Sequence, residues 1–144
     1  MQIHRSLLGT SAGGKLIDYK ELPNLLQRLS SKNLLLITRR PPEALNNPNG
    51  KVIWISKVDH PNAIHPSRMH ALEQTVWESL KGGETDGVIL DALEYLMVEH
   101  GTEPVLKLVG KLRDMAVYND KEFYVTVSNG LDDRFLALLK RIVE

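Results

Sequence analysis

Four short, unbroken apolar runs limit this chain to few architectures. They are Leu34-Leu35-Leu36-Ile37-Thr38, Val52-Ile53-Trp54-Ile55-Ser56, Gly87-Val88-Ile89-Leu90-Asp91 and Phe123-Tyr124-Val125-Thr126-Val127. A run this short, with no polar alternation, suits a strand covered on both faces, which is the habit of parallel sheets packed between helices. Leu16-Ile17 adds a further short strand. Between the runs the apolar period lengthens to that of a helix: Leu22, Leu25, Leu26 and Leu29; Met69, Leu72, Val76 and Leu80; Leu93, Leu96 and Met97; Val105, Val109, Leu112 and Ala116; Phe135, Leu138, Leu139 and Ile142. The pattern predicts a three-layer α/β/α fold with a mostly parallel sheet, RecA-like or Rossmann-like. With 144 residues, the expectation is one α/β domain over residues 14–144, preceded by a flexible connector at 1–13.

Punctuation refines the elements. Asp18 and Glu21 have capping-box spacing, and Pro23 belongs in the first helical turn. Pro66 is expected to open the second helix, Gly82-Gly83 to end it, Thr102 to cap the fourth and Asp132 the last. Asn46-Asn47-Pro48-Asn49-Gly50 and residues 59–65 read as loops.

Composition removes several function classes. Eighteen basic residues balance eighteen acidic ones, so the whole molecule has no field to capture nucleic acid or an anionic membrane. No cysteine is present, which excludes disulfides, iron–sulfur clusters and thiolate zinc sites. No apolar stretch is long enough to span a bilayer, and Met1-Gln2-Ile3-His4-Arg5 lacks a secretory signature, so a cytoplasmic protein is expected.

In parallel sheets, ligands bind beyond the carboxyl ends of the strands. That rim gathers Thr38, Arg39, Arg40, Ser56, Asp91 and Ser128-Asn129-Gly130. Gly9-Thr10-Ser11-Ala12-Gly13-Gly14-Lys15 has the frame of a phosphate loop. However, Leu16 stands where a hydroxyl must hold magnesium, and no helix opens directly behind it. Asp91 closes an apolar strand as a magnesium-holding aspartate does, with Glu94 placed to polarise a nucleophile. The plainer reading makes Asp91 the cap of the next helix. Arg39 and Arg40 suit a phosphate contact, or else ion pairs with Asp91, Glu43 or Asp114. Arg113-Asp114 reads as a structural pair. His60, His65 and His70 recur at a spacing wrong for metal on one helix, and His4 and His100 read as surface residues. Tyr95 reads as anchored by packing, and Trp54 and Trp77 as core. No metal set, cofactor set or nucleophile–base set emerges.

Several segments together resemble a known family. Leu36-Ile37-Thr38-Arg39-Arg40-Pro41-Pro42-Glu43, Val52-Ile53-Trp54-Ile55-Ser56, Ile64-His65-Pro66-Ser67, Gly87 through Leu96, Val105-Leu106-Lys107, Leu112-Arg113-Asp114 and Leu131-Asp132-Asp133 resemble, in order, the archaeal domain-of-unknown-function family numbered 835. Ala92 stands where that family usually has Gly. The resemblance implies a RecA-like core with a degenerate phosphate loop, in a family found alone or beside signalling modules. The expectation is a non-catalytic protein-interaction or signalling-adaptor module. Its surface would comprise Arg39, Arg40, Glu43, Asp91 and Glu94, and its partner would be another protein or a second copy. Two alternatives stay open: a regulator that binds a nucleotide or phosphorylated metabolite without hydrolysis, and an NTPase using Lys15.

Overall fold

A computed structural model describes residues 13–45 and 50–144. The expected connector therefore lies outside the described residues except for Gly13, which already belongs to the first strand, and so does most of the 46–50 turn. Six strands form one sheet: β1 (Gly13–Asp18), β2 (Leu34–Thr38), β3 (Lys51–Ile55), β4 (Ala63–Ile64), β5 (Gly87–Asp91) and β6 (Glu122–Val127). Their order is β1-β6-β5-β2-β3-β4, and every pairing is parallel. The helices are α1 (Leu22–Arg28), α2 (Met69–Lys81), α3 (Leu93–His100), α4 (Thr102–Tyr118) and α5 (Asp133–Val143). Short 3-10 turns occupy Tyr19–Glu21 and Pro42–Ala44.

The chain crosses the sheet in one direction from β1 through β2 and β3 to β4, then doubles back through β5 to β6. Right-handed crossovers require such a reversal to move the helices to the opposite face. The core divides accordingly. Alternate strand residues point to opposite faces. On one face Leu34, Leu36, Ile89 and Tyr124 meet Leu22, Leu25 and Leu26 of α1. On the other, Leu35, Ile37, Ile53, Val88, Leu90, Phe123 and Val125 pack against α2, α3, α4 and α5. The three layers predicted from the apolar runs are present, and the sheet is wholly parallel among the described residues.

Several local expectations need correction. Asp18 caps as expected, accepting from the Lys20 amide at 2.9 Å, but what it caps is a 3-10 turn, and α1 follows at Leu22 with Pro23 in its first turn. Pro66 does not open α2, which starts at Met69. The turn before it is stapled instead: His65 Nδ1 accepts from the Ser67 amide at 3.1 Å, and His100 Nε2 lies 2.6 Å from the Pro66 carbonyl. His100 is thus a tertiary contact rather than a free surface residue. Thr102 lies inside α4, and the cap position belongs to Gly101 at φ +84°, a region glycine reaches freely. The 59–65 loop contains β4, pinned by Trp54 N to Asn62 O at 2.8 Å and Ser56 N to Ile64 O at 3.1 Å. Leu138 is 44% exposed. The buried stripe of α5 is completed by Val143, because the register of the helix on β1 decides which leucine turns inward. Trp54 and Trp77 are half-buried rather than core: Trp54 donates from its indole to the Arg39 carbonyl, and Trp77 tilts against Tyr118 at 6.0 Å.

Candidate functional site

The chain leaves β2 toward β3 and leaves β5 toward β6, although β2 and β5 are neighbours. Their connections diverge and open a crevice at the strand ends, the switch point where parallel sheets bind ligands. The last rung there pairs Thr38 with Asp91. Beyond it lies a shallow cleft of about 400 Å³, lined among others by Tyr19, Arg39, Arg40, Asp91, Glu94, Tyr95 and Thr126.

Asp91 stands at its floor with a side chain only 7% exposed. Its Oδ2 accepts the Thr38 hydroxyl at 2.6 Å, and its Oδ1 accepts the Thr126 hydroxyl at 2.7 Å. Arg40 Nε lies 3.4 Å from Oδ2, while the Arg40 amide donates to Thr38 Oγ1 at 3.0 Å. Both threonines are buried. A buried carboxylate is tolerable only when its oxygens are bonded and its charge countered, and three partners do that here. The expected cap is therefore wrong: the cap position of α3 is Ala92, and no side chain caps that helix. Asp91 ties the ends of β2, β5 and β6 together instead.

Arg39 and Arg40 take different partners. The Arg39 guanidinium lies 3.8 Å over the Tyr95 ring, and its Nη1 donates to the Ile55 carbonyl at 2.9 Å. Of the ion pairs open to these arginines, only Arg40 with Asp91 forms among the described residues. Tyr95 packs against the core as expected, and polar contacts hold it as well: its hydroxyl donates to Glu99 Oε1 at 2.7 Å, and Lys57 Nζ lies 3.5 Å from the same oxygen. That hydrogen bond raises the Tyr95 phenol above its ordinary pKa and holds the Glu99 carboxyl below the usual carboxylate range.

Glu94 lines the cleft and accepts from the Ser128 amide at 3.1 Å, fastening α3 to the turn after β6. Glu43 does not line it. It lies 3.4 Å from His60 Nε2, and its side chain is largely in solvent. Ser56 is buried and accepts from the Val58 amide, shaping the loop after β3. The Arg113–Asp114 pair is present at 3.4 Å on α4. Among the described residues, no group of three or more His, Asp or Glu is placed to hold a metal ion.

The phosphate-loop frame falls partly outside the described residues, at residues 9–12. Its remainder is strand: Gly13, Gly14 and Lys15 pair with Glu122, Phe123 and Tyr124. In a parallel sheet all strands start at one edge and finish at the other. Lys15 is level with Tyr124 and, across β6, with Ile89, so it lies two rungs short of Asp91, which ends β5.

Sequence reasoning put Thr38 on the rim without a role and missed Thr126. The available signal was a hydroxyl in the same closing stretch of two otherwise apolar runs.

The model of the family described as protein of unknown function (DUF835) matches residues 17–143. This chain belongs to that family. No curated protein matches it. The stretch matched to DUF835 contains every residue lining the cleft and leaves out Gly14 and Lys15.

Proposed function

We propose that this DUF835 chain is a non-catalytic binding module that engages a partner protein through the cleft at the β2/β5 switch point. The observation that carries the reading is the employment of Asp91. A carboxylate that holds magnesium or moves a proton needs a free oxygen facing the reactant. Each oxygen of Asp91 already accepts a threonine hydroxyl, and Arg40 adds a cation where a second cation would have to sit. Glu94 commits its Oε2 to the Ser128 amide. What the cleft offers is shape and fixed charge, which recognise without reacting. The core is read as RecA-like without a working phosphate loop, and the setting as a cytoplasmic signalling adaptor of archaeal type. No helix among the described residues is long and apolar enough to cross a membrane, which accords with that setting.

Thermal unfolding with millimolar Mg²⁺ and ATP tests the non-catalytic part, because a ligand of the folded state raises its melting temperature. No rise is expected. A rise lost in Asp91→Asn would restore a metal-holding aspartate. A rise kept in Asp91→Asn but lost in Arg39→Ala would favour the regulator that binds nucleotide. For the partner, hydrogen exchange of the complex should slow at Arg39, Arg40 and Ala92 through Tyr95; protection confined to another face would overturn the location.

A further inference from the structure

We infer that the cleft reads its partner through an acidic side chain seated on Arg39, a cation that the fold holds ready and leaves without a counter-charge. This rests on the binding-module reading above. An exposed arginine ordinarily samples many rotamers, so fixing one has an entropic cost that some gain must offset. Arg39 is held at its main chain and at its guanidinium. Its carbonyl accepts the Trp54 indole at 3.1 Å, Nη1 donates to the Ile55 carbonyl at 2.9 Å, and the guanidinium plane rests 3.8 Å above Tyr95. Tyr95 is in turn held by Glu99, and Glu99 by Lys57.

Most charges around it are already engaged, and Glu94 accepts the Ser128 amide. Arg40 is paired with Asp91 and Lys57 with Glu99, whereas no carboxylate forms an ion pair with Arg39 among the described residues. The Ile55 carbonyl takes one proton of the guanidinium. The remaining donors of the fork suit a carboxylate, which a planar guanidinium binds through two parallel bonds. A guanidinium set in advance gives up less freedom when that partner arrives.

The shape of the cleft selects the source of the carboxylate. A site for a small metabolite encloses most of its ligand. This one is shallow, with Tyr19 at its lip 42% exposed. The Lys57–Glu99 bridge draws the loop after β3 against α3, and the neighbours of those two residues, Val58 and Val98, are 56% and 82% exposed. The occupant is a segment of a partner protein that carries an acidic residue.

The test uses the full chain and nuclear magnetic resonance titrations with three probes. They are an acetylated Leu-Glu-Glu-Leu-Glu peptide amide, the same peptide with Gln for each Glu, and inorganic phosphate. The acidic peptide should move the Arg39 side-chain Nε resonance and the Tyr95 amide, and the Gln peptide should not. Arg39→Gln should weaken acidic-peptide binding about tenfold, the loss of one charged hydrogen-bonded contact. Lys107→Gln, which removes an exposed lysine on the outer side of α4, where it pairs with Glu103, should leave binding unchanged. A urea midpoint for Arg39→Gln equal to that of the parent confirms that the fold is intact. An unmoved Arg39 resonance, equal binding of both peptides, or unchanged binding by Arg39→Gln overturns the inference. Phosphate matching the acidic peptide also overturns it, in favour of a small-anion site. If a protein partner protects the cleft yet binds Arg39→Gln as well as the parent, the inference fails while the binding-module reading stands. If partners protect only other faces, that reading fails first.

Discussion

Asp91 concentrates the residue-scale physics of this chain. Hydrogen bonds to an ionised group are each worth about 1.5–3 kcal/mol, so Thr38→Val and Thr126→Val should each lower unfolding stability by about that amount in urea titrations. Asp91→Ala removes the acceptor of both hydroxyls and strands Arg40, and about 3–5 kcal/mol is expected. Because Thr38 and Asp91 share one bond, their double variant should cost less than the two single losses added. A strictly additive result would mean that the hydroxyl and the carboxylate act independently. The Arg40–Asp91 pair was among the readings the sequence left open, but the threonine bonds were not legible beforehand. An aspartate after an apolar run looks the same whether it caps the following helix or bonds sideways. The deciding hydroxyls are 53 and 35 residues away along the chain.

Tyr124 offers a second residue-scale test. Burial, then its hydrogen bond to Glu122 at 2.9 Å, pushes its phenol up to about 12 from 10.0. The unfolded chain therefore loses this proton at lower pH than the folded one. Stability contributed by the group is intact below pH 10 and declines as pH climbs toward 12. Urea midpoints should fall across that window, and Tyr124→Phe should flatten the fall. An unchanged slope in the variant would assign the effect to other groups.

At the scale of elements, two glycines separate a close approach from a helix preference. A Cβ on Gly14 would run into the Val143 carbonyl and lie 2.8 Å from Val143 Cγ1, where the end of α5 lies on β1. Gly14→Ala should therefore push α5 off the edge strand and destabilise by about 1–3 kcal/mol. Gly110, inside α4, meets nothing closer than Ile142 Cγ2 at 3.8 Å. Gly110→Ala should stabilise by about 0.5–1 kcal/mol through helix propensity. Paired melting curves check both signs. The same scale shows why helix bodies were readable and their starts were not. The Leu72, Val76 and Leu80 stripe is inherent in a period of 3.6 residues. Whether α2 starts at Pro66 or Met69 depended on His65 and His100, which arrive from outside the helix.

For the whole molecule, the reversal of the chain path makes β5 and β2 the centre of the sheet and leaves β4 as a two-residue edge. Amides bonded between central strands, such as those of Leu36 and Ile89, should exchange with solvent only on global unfolding. The amides of β4 and of the loop before it should exchange by local opening at much lower cost. Native-state hydrogen exchange in mild denaturant checks this, and β4 protection equal to that of β5 would contradict it.

The sequence alone determined the layered α/β fold, because an apolar run of about five residues cannot alternate faces and must be covered on both. It also located the rim, since every parallel strand ends on the same edge. It named Arg39, Arg40, Asp91 and Glu94 as lining it, but added Glu43, which lies apart beside His60. Only the tertiary structure decided the strand order, which is set by pairings between segments remote in the chain. That order brings Thr38 and Thr126 to either side of Asp91, turning a presumed helix cap into a clasp across three strands. It also settles which arginine is neutralised. Arg40 reaches the buried carboxylate, while Arg39 lies over Tyr95 with no carboxylate paired to it among the described residues, a difference of side-chain direction that adjacent positions in a sequence do not encode.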